Sequence, residues 1–128
     1  MSRLRRTLAI DALATALVGL LLLFFPEQLV ELSGVPDPEP SIYANLAGAA
    51  LVGLAVALVR AAETPVLHRG VIEASVAVKG LWAVVVVVWG TALELDAGTR
   101  GTVVLGAVAG LFALLAALEA DGLRRVVP

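Results

Sequence analysis

A lysine inside an otherwise apolar helix can hold a charge, donate hydrogen bonds or, in a dry pocket, serve as a base or a Schiff-base amine. Lys79 is such a residue. It stands in VIEASVAVKGLWAVVVVVWG, residues 71–90, and is the only lysine among 128 residues. Counting from Gly70 at about 1.5 Å per residue places it about 13 Å into a hydrocarbon layer roughly 30 Å thick, so its backbone lies close to the midplane. An ammonium at that depth is costly unless it faces the protein interior and meets a partner, which makes Lys79 the first candidate for a functional site.

Helical side chains lean toward the helix N-terminus, so the ammonium reaches back to a level where carboxylates occur. Asp11 lies about 6 Å into the first apolar run, Glu73 about 4–5 Å into the third, and Glu119 ends the fourth. Asp11 is the best single partner. Glu73 precedes Lys79 by six residues, about 120° around the helix, and a direct contact between them is poor. Ser75 and Trp82 share the lysine's face, so Ile72, Ser75, Val76, Lys79, Trp82 and Val86 form the expected inward stripe. The candidate intramembrane cluster is therefore Lys79, Asp11, Glu73, Glu119 and Ser75, with Asn45 and Trp82 as further polar or aromatic candidates. It reads in one of two ways: as a buried Asp11–Lys79 pair that fixes helix register, or as a site for a proton or ligand. Beyond Asp11 and Ser75 no second catalytic group accompanies the lysine. No enzymatic activity is expected, and no catalytic residue is assigned.

The elements that must position these groups are set by composition. Hydrophobic residues make up 60% of the chain and charged residues 16%, which argues against a water-soluble globular domain. Four apolar spans joined by short loops consume nearly the whole length, so residues 1–128 form a single membrane domain with no room for a soluble catalytic one. The fold class expected is all-α, a four-helix transmembrane bundle running up-down-up-down, with spans at about 7–25, 41–60, 70–90 and 101–119. The absence of cysteine excludes disulfides and thiolate metal sites, and the single histidine, His68, argues against haem or zinc. No cofactor and no metal are expected.

Arg3, Arg5, Arg6, Arg60, Arg69, Arg124 and Arg125 fall on one side of this arrangement and Arg100 on the other, which places both termini in the cytoplasm by the positive-inside rule. The expected location is the plasma (cell) membrane, multi-pass. The basic clusters are topology determinants, and no nucleic-acid partner is expected. Arginine in preference to lysine, with abundant alanine and valine, is the composition of a GC-rich prokaryotic source.

Between the spans, Phe24 and Phe25 mark the outer interface and Pro26 stops the first helix. PEQLVELSG makes a short amphipathic turn ended by Gly34, and VPDPEP is an extended linker before Ser41, a good N-cap. Asn45, one turn below the outer surface, is expected to make an interhelical hydrogen bond. Ala44, Gly48, Ala49, Gly53 and Ala57 form overlapping small-xxx-small pairs, and Gly106 with Gly110 a GxxxG. Gly48, Gly53, Gly106 and Gly110 are thus the expected helix-packing positions. Thr64-Pro65 breaks the chain before the third span, where His68 is expected to be a solvated interfacial residue.

An arginine-rich start, a first span ending in Phe-Pro, a short segment with LSGVP and a Gly/Ala-rich second span resemble the DoxX-like group of small four-helix membrane proteins of bacteria and archaea, over residues 3–59. The resemblance implies a four-helix bundle and carries no catalytic residues over. A carboxylate in the first of four short helices also resembles the small multidrug resistance exporters in plan and length. Those proteins do not answer that acid with a buried lysine. The expected function is that of a structural or accessory membrane protein, assembling with itself or a membrane-protein partner through Gly/Ala helix faces and surrounded by membrane lipid. The alternative is a small proton-coupled transporter or lipophilic-ligand bundle using Asp11, Lys79 and Glu73.

Overall fold

The computed structural model describes residues 2–24, 27–34, 42–91 and 98–126. These residues form five helices: α1 (Ser2–Phe24), α2 (Glu27–Ser33), α3 (Ile42–Glu63), α4 (Arg69–Thr91) and α5 (Gly98–Val126). Four of them are long and apolar enough to cross a membrane, and the all-α bundle expected from the sequence is the one observed. The Phe25-Pro26 stop, the linker at 35–41 with its Ser41 cap, and the turn at 92–97 lie outside the described residues.

α4 and α5 extend beyond residues 70–90 and 101–119 at both ends, while α1 begins before residue 7 and α3 ends after residue 60. α1 begins within the arginine-rich start and α5 continues to Val126. Apolarity measures only the part of a helix that lies in hydrocarbon. Arginine and glutamate are good helix formers, and pairs such as Arg125–Asp121, Nε to Oδ2 2.9 Å, extend α5 by four-residue side-chain contacts.

The helices form a square. α1 packs most extensively on α3 and α4 on α5, while lesser contacts join α1 to α5 and α3 to α4. No Cα of α1 comes within 8 Å of one in α4 among the described residues, so these two helices occupy opposite corners. Near the end of the bundle where α1 begins and α5 finishes, Leu4, Leu8, Ala12, Leu58, Ala61, Ile72 and Leu123 make an apolar core.

A close approach of α1 and α3 lies toward the other end. A Cβ added to Gly48 of α3 would stand 2.3 Å from the Leu23 nitrogen and 2.6 Å from the Gly19 oxygen. Only glycine fits there. Gly48 packs α3 against α1 there, and its partner Gly19 belongs to a stripe of Leu4, Leu8, Asp11, Thr15 and Gly19 at helical spacing. Gly53, Gly106 and Gly110 differ: a Cβ at any of them meets nothing within 4 Å, so within one chain they do not join helices.

Local hydrogen bonds hold the described connections. Gly34 follows α2 with φ of 72°, the left-handed conformation that glycine tolerates best, and its N–H donates to the Glu31 carbonyl. Arg100 donates to the Leu32 carbonyl at 3.1 Å and ties α2 to the start of α5. At the other end Thr64–His68 make the turn, with the His68 Nδ1 3.0 Å from the Thr64 hydroxyl.

Between 17% and 28% of the apolar stretch of each long helix is buried. Large apolar side chains such as Leu13, Leu17, Leu46, Val56, Leu81 and Val103 face outward. A soluble monomer does not expose apolar surface on this scale, whereas a bundle in lipid does, and the chain is a multi-pass membrane protein.

Candidate functional site

At the centre of the bundle three helices contribute polar groups to one dry site. α1 supplies Asp11 and Thr15, one turn apart on its inward stripe. α4 supplies Ser75 and Lys79, again one turn apart, and α5 supplies Glu119. All five residues are 0% exposed. Leu58 and Ala55 of α3, facing inward, are apolar.

The Lys79 Nζ lies 2.6 Å from the Asp11 Oδ2. It also donates to the Ser75 Oγ, the contact that a lysine leaning one turn toward its helix N-terminus makes. The Ser75 hydroxyl donates in turn to the Asp11 Oδ2 at 3.3 Å, and the Thr15 hydroxyl to the Oδ1 at 2.9 Å. Both oxygens of Asp11 are therefore satisfied, one by its own helix and one by α4. Because α1 and α4 stand at opposite corners, the bonds from Lys79 and Ser75 to Asp11 cross the middle of the square. Asp11 as the partner of Lys79, with Ser75 on the same face, is the arrangement the sequence implied.

Glu119 completes the site in a different way. Asp11, Lys79 and Ser75 lie near its carboxylate, yet neither Oε1 nor Oε2 has a hydrogen-bond partner. Glu119 thus belongs to the cluster as a neighbour and not as a bonded member.

Glu73 does not belong to it. Its Oε1 accepts from the Arg69 Nε at 2.7 Å, and both side chains are more than half exposed. The physical reason is angular: the turn that points Ser75 and Lys79 inward rotates Glu73 away, toward the polar end of the bundle.

Compared with known proteins, the chain matches no family model, no curated protein and no solved structure. Its function has to be read from the site.

Two residues named from the sequence frame the other half of the core. Trp82 lies edge-on to Phe112 with ring centroids 5.1 Å apart, one turn from Lys79. Its aromatic face is used in packing α4 on α5. Asn45 turns its amide nitrogen to the carbonyls of Leu22 and Leu23, both at 3.1 Å, since its oxygen would meet only other acceptors there. These carbonyls lie in the last turn of α1, so Asn45 serves as an interhelical C-cap.

Sequence reasoning passed over Thr15, Gly19 and Phe112. Thr15 could have been found from its spacing of four residues from Asp11, because a hydroxyl one turn away is the nearest donor a buried carboxylate can reach. Phe112 repeats with Ala109, Ala116, Glu119 and Leu123 on the inward face of α5. That stripe is hidden in a span where nearly every residue is apolar.

Proposed function

We propose that the protein is a structural or accessory membrane protein whose buried charge network fixes the arrangement of four helices, and which assembles with itself or a membrane partner through its exposed faces. The observation that carries this reading is the closure of the site. Asp11, Ser75 and Lys79 are wholly buried and bond to one another and to Thr15, so they act on each other and not on a solute. A transport reading needs the same groups to meet water or lipid-borne ligand.

Assembly is supported by Gly53, Gly106 and Gly110, which face open space in one chain and give a second helix room for close approach. The distribution of arginine supports a plasma-membrane protein with both termini in the cytoplasm. The likeness of residues 3–59 to DoxX-like proteins fits this reading as a proposal of kinship. Size-exclusion chromatography with light scattering, in mild detergent and in bilayer discs, tests it. A self-associating protein gives an oligomeric mass that Gly106→Leu or Gly53→Leu reduces. A strictly monomeric chain in both media, with no co-purifying membrane partner, ends the proposal.

A further inference from the structure

The central site holds two carboxylates, Asp11 and Glu119, against one ammonium, Lys79. Every hydroxyl in it is committed: Thr15 and Ser75 both donate to Asp11. Glu119, fully buried and beside Asp11, has no donor for either oxygen. From α3 comes no compensating charge, since Arg60 and Glu63 are exposed and pair with each other at 3.6 Å. A bare carboxylate so placed would lack hydrogen bonds and would share its one counter-charge, Lys79, with Asp11, a cost that natural structures avoid.

We propose that this cluster is a binding site for one proton, held by Glu119 and shared with Asp11 where α1, α4 and α5 meet. The proton adds to the Glu119 carboxylate, no other bond being broken, and turns it into a hydroxyl donor. That hydroxyl donates to Asp11. The count becomes one carboxylate, one ammonium and one neutral acid, and the orphaned group gains the partner it lacks. A metal cation fits less well, because the Lys79 ammonium already lies 2.6 Å from the Asp11 oxygen that would bind it. No group of three or more His, Cys, Asp or Glu residues suited to a metal occurs among the described residues.

The surroundings also give the proton a way in. An open groove of about 290 Å³ runs between α4 and α5, lined by Arg69, Glu73, Val76, Ala120, Leu123 and Arg124. Its wall is adjacent in sequence to the site on both sides: Val76 follows Ser75, and Ala120 follows Glu119. Arg69, Glu73 and Arg124 make the groove polar, and Val76, Ala120 and Leu123 complete its lining. The proton site stands whether or not the protein self-assembles, so failure of either idea leaves the other in place.

Infrared spectroscopy of the full chain in bilayers near neutral pH tests the proposal directly. A protonated carboxyl has a C=O stretch that an ionised carboxylate lacks, and exposed acids are ionised under these conditions. The wild-type protein is expected to show this band, to shift it on carbon-13 labelling of glutamate, and to lose it in Glu119→Gln. Glutamine has the shape of the neutral acid and supplies an N–H donor, so this variant is the one best suited to fold. A wild-type spectrum with no glutamate-labelled C=O band overturns the proposal without any variant, and so does a band that persists in Glu119→Gln.

Discussion

Lys79 of α4 and Asp11 of α1 meet at 2.6 Å across the diagonal of a four-helix square, although the backbones that carry them stay more than 8 Å apart between Cα atoms. The pair is therefore a strut through the core and not a clasp between neighbours. In a dry interior such a pair owes little to Coulomb attraction alone, because desolvation offsets much of it. Breaking it is costly all the same, since one charge is then left alone.

Removing either partner is thus expected to destabilise the bundle by about 3–5 kcal/mol, and replacing both with apolar residues to recover much of that loss. Lys79→Met, Asp11→Leu and the double variant form the cycle, followed by thermal unfolding in detergent. Additive effects would show that the two charges do not depend on each other.

Glu73 provides the contrast. Its ion pair with Arg69 is more than half exposed on both sides, where such pairs contribute at most about 1 kcal/mol. Glu73→Gln is expected to leave the melting temperature nearly unchanged. A loss as large as that of Asp11→Leu would return Glu73 to the central cluster.

The glycines separate into two kinds. Gly48→Ala forces a Cβ against the backbone of α1 and is expected to destabilise the monomer by about 1–3 kcal/mol or more. Gly106→Ala meets open space and is expected to leave monomer stability within about 0.5 kcal/mol. Unfolding measured at a detergent ratio that keeps one chain per micelle compares them, and equal losses would contradict the crossing of α1 on α3.

Asn45→Leu removes both donors from the carbonyls that end α1, at an expected cost of about 1–3 kcal/mol. Hydrogen exchange gives the sharper readout. Amides near Leu22 and Leu23 are expected to exchange faster while those near Leu8 keep their protection, and uniform loosening of α1 would argue against a cap.

Topology can be read with cysteines introduced into a chain that has none. Leu32→Cys and Leu67→Cys lie at exposed positions on opposite ends of the bundle. An impermeant thiol reagent added outside intact cells is expected to label the first and spare the second. The reverse pattern would place the termini outside.

Much of this site was legible in the chain because charge is rare there. A lone lysine at mid-depth has few acids within reach, and depth along the helix was enough to choose Asp11. Depth does not give rotation, however, and Glu73 was placed in the cluster on depth when its angle from Lys79 points it elsewhere. Apolar spans hide rotation most completely. Phe112 and Gly19 face inward, and only their helical spacing from Glu119 in α5, and from Asp11 and Thr15 in α1, marks that face. Glu119 was named with the cluster as the residue that ends the fourth span; that α5 continues past it to Val126 was hidden, because a count of apolar residues stops at the first charge.

The diagonal strut also bears on how the protein is made. Asp11 emerges with the first hairpin, α1 and α3, whereas Lys79 is synthesised only after that hairpin is complete. Until then a carboxylate is inserted in lipid with Thr15 as its nearest donor. The first hairpin is therefore an unfinished product that the second must rescue, and a chain truncated after Glu63 is expected to be retained by the insertion machinery or degraded. Supplying residues 69–126 as a separate polypeptide would bring Lys79 to it and restore the missing charge.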